Sequence, residues 1–403
     1  MPAVAEFDLA YLDVLSPEFQ DDPHGCIRAA RQQGWLARSP FGLEVLGYPQ
    51  VQLGLRDRRF RSPAGLTLEI QGITEGPLWD RVISGILSLD GDDHTRLRRL
   101  VGQAFTPRSA DQLRDSMRRI FTDLVASAEV GGRCDLVTDV CQVYPIAVIC
   151  ELLGAPAADW PQFSRWADDA FKIFQLNVAQ DGPVIERAFD ELDAYLEELI
   201  VARRADPGDD LLSAMIAVED AGDRLTHAEL LMMASAVLLA GTDTTRNQLA
   251  AAVEVLCAHP EQWTLLRDHP DLIPRAVEET MRFAPAILGT ARVPSDDVEI
   301  DGVVIPAGTF VGLTTAAANR DPDVFTDPDR FDVTRTSTQP MLTFGGGIHY
   351  CLGVHLAKAE LVEALTILTQ RWVTVRVVGP APWKPVNGIT GPSTLPIELS
   401  LAG

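Results

Sequence analysis

The chain of 403 residues is short of positive charge: 34 Lys and Arg stand against 57 Asp and Glu, which gives a net charge of −23. This balance argues against nucleic acid and anionic membranes as partners. The longest apolar stretch, Leu230 to Gly241, has about a dozen residues, too few to cross the ~30 Å hydrocarbon core of a bilayer. The N-terminal sequence has no basic region followed by an apolar one. We therefore expect a cytoplasmic protein without a membrane anchor.

Cysteine is also scarce, with six residues and no C-x-x-C pair, so we expect neither a zinc site nor an iron–sulfur site. Disulfides are not expected in a cytosolic chain. Five of the six lie in helical or apolar contexts and are predicted to be core residues: Cys26, Cys134, Cys141, Cys150 and Cys257. A glycine-rich dinucleotide fingerprint after a strand is absent too, so electrons for any redox reaction would have to come from outside.

The distribution of turn residues and apolar periodicity predicts a mainly α protein with small β-sheets. Helical patterns run from Asp93 to about Phe283, and a first helix is expected from Pro23 to Gln33. Residues 61–90 are rich in Gly and Pro and predict a long loop with one short helix. The β regions are expected near 35–47, 290–312 and 373–402.

The sixth cysteine, Cys351, lies in Phe344-Gly345-Gly346-Gly347-Ile348-His349-Tyr350-Cys351-Leu352-Gly353. Glycines permit unusual dihedral angles and let backbone N–H groups approach a ligand closely. Several N–H groups directed at one sulfur would stabilise its thiolate form. A long amphipathic helix is predicted from roughly Cys351 to Gln370, with the positive end of its dipole towards the thiolate. The alternative is a buried cysteine in a glycine-rich turn.

This stretch fills every fixed position of the pattern F-G-x-G-x-H-x-C-x-G and so resembles the cytochrome P450 superfamily. The resemblance implies one single-domain, triangular fold over residues 1–403. It also implies haem b, with the Cys351 thiolate as the proximal ligand of iron and Phe344 and Gly353 among the cofactor-binding residues. Thiolate ligation favours cleavage of the O–O bond.

A second motif lies in the middle of an apolar helix, in Leu238-Leu239-Ala240-Gly241-Thr242-Asp243-Thr244-Thr245. Polar residues there oppose burial, and the Thr244 hydroxyl is placed to bond the Ala240 carbonyl and to bend the helix. The segment resembles the oxygen-binding helix of the superfamily. The resemblance implies that Thr244 hydrogen-bonds dioxygen, that Asp243 relays protons from solvent, and that Ala240 lies at the haem. The alternative is a polar cluster without a chemical role.

The two haem propionates require cations. His94 and Arg98 are one helical turn apart, and the superfamily uses this spacing for propionate contacts. Arg292 and His349 fill the other matching positions. Each could instead be a surface cation.

Glu279 and Arg282 lie three residues apart on a predicted helix and resemble the superfamily's Glu-x-x-Arg pair. Arg330 matches the third member of that network. The resemblance implies a structural role for these three residues, since breaking a buried network leaves an unpaired charge.

The predicted reaction is insertion of one oxygen atom from O2 into a neutral lipophilic substrate of terpenoid, steroid, fatty-acyl or polyketide type. A ferredoxin and its NAD(P)H-dependent reductase are the implied electron donors. The expected pocket is aliphatic and weakly aromatic, and it has no evident cation for a carboxylate. Its expected side chains are Leu66, Leu68, Ile70, Ile73, Phe171, Ile173, Phe174, Leu176, Val237, Ile287, Leu288 and Leu395. The alternatives are a peroxygenase driven by H2O2 and a non-catalytic haem sensor.

Residues 94–119 contain seven arginines against two aspartates, a basic region on an acidic chain. We expect this region to bind the acidic electron-donor protein. Arg108, Arg114 and Arg118 are expected to be exposed there, and Arg98 is expected to face a propionate. Arg96 and Arg99 are expected to be more exposed than Arg98. The alternative is a solvated helix face.

Overall fold

The computed structural model describes Val4, residues 7–221 and residues 225–401. They form two compact units, of which the first joins the described residues up to Ala64 to Glu278–Cys351. The second joins Gly65–Val277, outside residues 222–224, to the described residues from Leu352 onward. The predicted class, mainly α with small β-sheets, is confirmed. No described helix is both long and apolar enough to cross a membrane.

The described α-helices are α1 (Pro17–Asp21), α2 (Pro23–Arg31), α3 (Tyr48–Arg56), α4 (Leu66–Glu69), α5 (Pro77–Ser84), α6 (Gly91–Gly102), α7 (Pro107–Gln112), α8 (Arg114–Ala128), α9 (Tyr144–Leu153), α10 (Trp160–Ala170), α11 (Val178–Ala205), α12 (Leu211–Asp220), α13 (His227–Ala258), α14 (Pro260–Asp268), α15 (Ile273–Phe283), α16 (Thr315–Ala318) and α17 (Val354–Arg371). The strands are β1 (Ala10–Tyr11), β2 (Leu36–Ser39), β3 (Gly42–Val45), β4 (Phe60–Arg61), β5 (Arg133–Asp135), β6 (Thr290–Pro294), β7 (Val298–Ile300), β8 (Val303–Ile305), β9 (Val311–Leu313), β10 (Trp372–Val377) and β11 (Pro396–Leu401).

The first unit is built on a six-stranded sheet in the order β1-β2-β3-β9-β6-β4. β3 and β9 pair in parallel, with Leu43 opposite Val311, whereas β6 is antiparallel to β9. Apolar side chains of the sheet and of α3 form a buried core that includes Val51 and Val311. This sheet carries Arg292 on β6, and the unit ends with the cysteine loop, which we define as residues 344–351.

The second unit is organised around α13, which runs for 32 residues. Thr226 and Glu229 form a capping box that satisfies the first N–H groups and starts the helix. A Cβ built on Gly241 would lie 2.3 Å from Cδ1 of Ile149, so a larger residue here would require the Ile149 side chain on α9 to move. A three-stranded sheet, β10-β11-β5, completes this unit.

The structure differs from the sequence prediction in several short elements. The helix after Cys351 begins at Val354, because the preceding residues form turns. The segment 61–90 contains two helices, α4 and α5, where one was expected. Strands β1, β4 and β5 were missed, since strands of two or three residues carry no periodicity and are fixed by their pairing partners. Leu401 is the last described residue of the expected β region 373–402, and residue 402 lies outside the described part.

Candidate active site

Backbone hydrogen bonds fix the conformation of the cysteine loop. The Cys351 N–H donates to the Phe344 carbonyl at 3.0 Å, and the Gly345 N–H donates to the Leu342 carbonyl at 2.9 Å. Cys351 remains partly accessible. The loop therefore presents one accessible cysteine at its end.

The structure shows two further reasons why this loop contains glycines, besides the expected approach of its backbone N–H groups to a ligand. Gly345 and Gly347 have φ angles of 71° and 64°, a region that favours glycine. A Cβ on Gly347 would lie 2.3 Å from the Leu55 carbonyl oxygen, and a Cβ on Gly346 would lie 3.1 Å from the Leu55 Cβ. The loop thus rests directly on the last turn of α3, and larger residues would force the two apart.

The prediction of core positions is confirmed for two of the other five cysteines. Cys141 and Cys150 are buried, and Cys26, Cys134 and Cys257 are half-buried; no disulfide forms between described residues. Burial raises the pKa of the Cys134, Cys150 and Cys257 thiols to about 12. A thiol that keeps its proton is a poor metal ligand, so these three cysteines are poor candidates for binding a metal.

Two of the predicted propionate cations are deeply buried within their own units. His94 on α6 is 1% exposed, and Arg98 lies one turn further along the same helix and is half-buried. Arg292 on β6 is 6% exposed, and its guanidinium donates to the Ala291 carbonyl at 2.7 Å and to Oγ1 of Thr290 at 3.1 Å. His349 is half-buried in the cysteine loop. Burial of two of these groups excludes the surface-cation alternative for His94 and Arg292.

One face of α13 is accessible although most of the helix is buried. Ala240 is exposed, and Ala236 and Thr244, one turn before and one turn after it, are half-buried. The Thr244 hydroxyl donates to the Ala240 carbonyl at 3.0 Å, as the sequence predicted. This side of α13 therefore carries small side chains next to the Thr244 hydroxyl.

Asp243, the residue before Thr244 on the same helix, is buried and only 5% exposed. Its carboxylate accepts from the guanidinium of Arg246 and from the Lys384 amine at 3.3 Å. Arg246 also donates to Oδ1 of Asp168 at 2.7 Å. The Lys384 side chain is 29% exposed and the Asp168 side chain is 47% exposed, so the network connects a buried acid to the surface.

The Glu-x-x-Arg pair is confirmed, with a different third member from the one expected. Glu279 and Arg282 are each 3% exposed and form two bonds of 2.7 and 2.8 Å. Nε of Arg335 donates to Oε1 of Glu279 at 3.1 Å. The Arg330 prediction was wrong for the side chain, which is 68% exposed and lies 3.6 Å from Asp332. Arg330 contributes its backbone carbonyl, which accepts from Arg282 and Arg335.

Comparison with known proteins decides the family. The cytochrome P450 family model matches residues 81–269 and 266–375. The chain is a cytochrome P450. It is 37% identical over 398 residues to luteothin monooxygenase of Streptomyces thioluteus, which covers 98% of this chain and 97% of that protein. It is 41% identical to mycinamicin IV hydroxylase/epoxidase of Micromonospora griseorubida, over 89% of this chain and 91% of that protein.

Solved structures agree with this assignment. The crystal structure of CalO2 matches with a TM-score of 0.90 and 30% identity, over 96% of this P450 and 98% of that chain. P450BioI in complex with an acyl carrier protein ligated to hexadec-9Z-enoic acid matches with a TM-score of 0.88 and 31% identity, over 95% of this P450 and all of that chain. The protein is therefore a haem monooxygenase, and members of its family bind haem b through a cysteine thiolate.

The described residues fit that cofactor. Within the first unit, Cys351 is partly accessible in a loop of glycines and Arg292 is a buried cation. Within the second unit, His94 is a buried imidazole and α13 has small side chains around Thr244. When bound, a thiolate-ligated haem supplies activation of dioxygen.

Sequence reasoning missed three residues around Asp243 and one around Glu279. Arg246 follows Asp243 by three residues, a spacing that signals an ion pair on a helix. Asp168 and Lys384 lie far from Asp243 in the sequence, and Arg335 lies far from Glu279. No local sequence pattern predicts these three contacts.

Proposed function

We propose that this P450 inserts one oxygen atom from O2 into a neutral lipophilic substrate and receives its electrons from a ferredoxin and an NAD(P)H-dependent reductase. The observation that carries the proposal is the pairing of a complete cysteine motif in the loop with an accessible Thr244 hydroxyl on α13. Luteothin monooxygenase and mycinamicin IV hydroxylase/epoxidase carry names of the same reaction class. The family relationship extends over 98% of the chain, which supports one monooxygenase domain over residues 1–403.

Site roles are proposed from the motif positions. Cys351 is the ligand of the haem iron, and Phe344 and Gly353 flank it in the same motif. His94, Arg98, Arg292 and His349 neutralise the propionates. Ala240 lies against the haem, because it is exposed in the middle of α13, one turn before Thr244.

Thr244 and Asp243 are proposed to supply protons. The Thr244 hydroxyl donates to the Ala240 carbonyl and its oxygen keeps lone pairs that accept a second hydrogen bond, so it holds one proton next to the accessible face of α13. Asp243 is buried, so a proton from solvent reaches it through a titratable group that itself reaches solvent. The Lys384 side chain is 29% exposed and contacts Asp243. Burial lowers the pKa of its amine, with Asp243 opposing that effect. Arg246 is held between Asp243 and Asp168 and stays charged, so it positions the carboxylate and passes no proton.

The lipophilic substrate class is supported by a pocket in the second unit whose lining includes the apolar side chains of Ile73, Leu78 and Val178. Leu68, Leu78, Val178 and Ile185 form a buried cluster with the half-buried Ile173 and others packed against it. A cavity of about 270 Å³ lies beside this cluster. It is lined by Ile73, Glu75, Gly76, Pro77, Leu78, Val178, Gly182, Pro183 and Glu186. Its two carboxylates do not favour an anionic substrate.

Several expected pocket residues serve the core instead. Leu68 and Leu395 are fully buried and Val237 is 7% exposed. Phe174 is 37% exposed and stacks on Phe171 with ring centroids 6.0 Å apart. The aromatic pair therefore remains available to a ligand, whereas Leu68 and Leu395 are committed to internal packing.

A binding screen followed by turnover tests this function. Neutral terpenoids, steroids, fatty-acyl compounds and polyketides are titrated against the purified holoenzyme, and the haem spectral shift is recorded. Binders are then incubated with a ferredoxin, its reductase and NAD(P)H, and product is quantified. Substrate-dependent NAD(P)H consumption with an oxygenated product supports the proposal. Product formation only with H2O2 would favour the peroxygenase, and binding without turnover under either condition would favour a haem sensor.

A further inference from the structure

Glu44 on β3 is a carboxyl group buried in the first unit. Leu43 and Val45, the residues on either side of it, lie in the apolar core that the sheet forms with α3. Successive side chains of a strand point to opposite faces, so Glu44 points to the other face of the sheet. That face is closed as well, since Glu44 is only 8% exposed and Ala37, its partner on β2, is fully buried. The sheet thus holds inside it a group that is costly to bury once it is ionised.

The residues around Glu44 leave space for its carboxyl group and bond to it. β3 and β9 run in parallel, with Glu44 opposite Gly312. A Cβ built on Gly312 would lie 2.5 Å from Oε1 of Glu44 and nearer still to Oε2, so a larger residue would displace the carboxyl group. The Thr314 hydroxyl donates to Oε2 at 2.9 Å. Ser39 Oγ is buried without a hydrogen-bond partner among the described residues and can accept from a protonated carboxyl group.

No cation within the described part of the chain neutralises this carboxyl group. The titratable side chains on the neighbouring elements are Arg38 on β2, Arg292 on β6, and His24, Cys26, Arg28 and Arg31 on α2, which packs against β2. Arg38 donates to a backbone carbonyl at 3.2 Å, and Arg31 lies 3.6 Å from Asp321. Burial raises the pKa of Glu44 to about 7, and the Thr314 and Ser39 hydroxyl groups oppose this effect without any contribution from a charged side chain.

We propose that Glu44 is a pH-sensitive device of the first unit, in which the neutral carboxyl group lets β3 and β9 close over it and ionisation favours opening of this pair. An ionised group without a counter-charge is more stable in water than inside the sheet, so the open form gains when the proton leaves. β9 also pairs with β6, where Ala291 lies opposite Gly312. Opening at β9 therefore reaches the strand that carries Arg292.

The direction of the effect follows from the protonation of the open and closed forms. Below pH 4.5, the ordinary pKa of the exposed group, the carboxyl group is neutral in both forms and the sheet keeps its full stability. As the pH rises to about 7, only the open form ionises, so its population grows about tenfold per pH unit. Above that pH both forms are ionised and the growth stops. Between pH 5.5 and pH 8 the open population therefore grows roughly 30-fold.

Hydrogen exchange of the holoenzyme, followed by mass spectrometry on peptides that contain β3 and β9, measures this opening. The wild type is compared with Glu44→Gln, which keeps the size of the side chain but cannot ionise. The ratio of the two exchange rates cancels the intrinsic pH dependence of exchange. We expect this ratio to rise roughly 30-fold from pH 5.5 to pH 8 and then to level off. The control is Glu299→Gln on β7 of the same unit, where an exposed carboxyl group gives a ratio that does not change with pH.

Two measurements do not depend on the Gln variant. Thr314→Val removes a hydroxyl group that lowers the pKa of Glu44, so the levelling-off moves to higher pH. In infrared spectra of the wild type, the carbonyl band of protonated carboxyl groups weakens as the pH rises from 6 to 8. Burial raises the pKa of Glu360 far above its ordinary value, so Glu360 contributes a part of this band that stays constant.

A pH-independent exchange ratio for Glu44→Gln would overturn the inference, and so would an equal pH dependence for Glu299→Gln. If Glu44→Gln does not fold, an infrared band that stays constant from pH 6 to pH 8 overturns it instead. A levelling-off that moves to lower pH in Thr314→Val contradicts the assignment of the effect to this carboxyl group.

Discussion

The ion-pair network around Glu279 offers a sharp test, because the sequence resemblance and the structure assign different arginines as its third member. Arg335 is 12% exposed and Arg330 is 68% exposed. We predict that Arg335→Ala destabilises the protein strongly, whereas Arg330→Ala is nearly neutral. Both substitutions remove the same side chain, five residues apart in one segment, so each is the matched control of the other.

The magnitude follows from the bonds lost. Arg335 donates to the Glu279 carboxylate at 3.1 Å and to the carbonyls of Asp327 and Arg330 at 3.0 and 2.7 Å, with a further bond to Thr326. Glu279 keeps Arg282, so the cost stays below that of an unpaired buried charge, and we expect about 3 kcal/mol. For Arg330→Ala we expect between about 0 and 1 kcal/mol, because an exposed pair is worth little and the backbone carbonyl remains.

Thermal unfolding of both variants, followed by circular dichroism, measures the difference. With an unfolding entropy of about 2.1 cal/mol/K per residue, 3 kcal/mol lowers the midpoint by roughly 3–4 °C if the whole chain unfolds together, and by more if the first unit unfolds alone. Arg330→Ala is expected within about 1 °C of the wild type. A larger loss for Arg330→Ala than for Arg335→Ala would refute the assignment of the third member.

Three further predictions concern protons. Thr244→Ala leaves haem and substrate binding intact but diverts NAD(P)H consumption into hydrogen peroxide, since the hydroxyl is assigned to proton delivery; unchanged coupling, measured as product per NAD(P)H, would contradict this. Lys384→Met removes the titratable cation beside Asp243 and lowers turnover about tenfold, and Lys384→Arg, which keeps the charge but releases no proton, stays low as well; full recovery in the Arg variant would show that charge alone matters. Hydrogen bonding to Glu197 raises the pKa of His227. This stabilisation is present below the unfolded pKa and is lost as pH rises through the folded one, so His227→Gln lowers the thermal midpoint more at acidic than at alkaline pH; an equal loss at both would refute it.

The parts of the site that sequence could predict are those encoded by neighbouring residues. The Thr244 hydroxyl bonds the Ala240 carbonyl as expected, because both lie on one helix and the spacing alone fixes the contact. The Glu279–Arg282 pair was predictable for the same reason. The coarse division into helices and small sheets followed from apolar periodicity and turn residues.

Contacts between distant segments were not predictable in the same way. Lys384 reaches Asp243 across 141 positions, and Arg335 takes the place of Arg330 because the turn at 327–332 presents a backbone carbonyl there. The expectation for Arg114 failed because Glu363, on another helix, neutralises it. The need for glycine at positions 346 and 347 comes partly from α3, which no local pattern reveals.

Ligation of the haem iron by the Cys351 thiolate is tested most directly by the absorption spectrum of the reduced carbon-monoxide complex of Cys351→Ser, with Cys150→Ser as the control at a buried thiol. We expect Cys351→Ser to lose the long-wavelength Soret band of thiolate-ligated haem together with monooxygenation, and the control to retain the band. A Cys351→Ser protein that keeps this band would show that Cys351 is not the ligand.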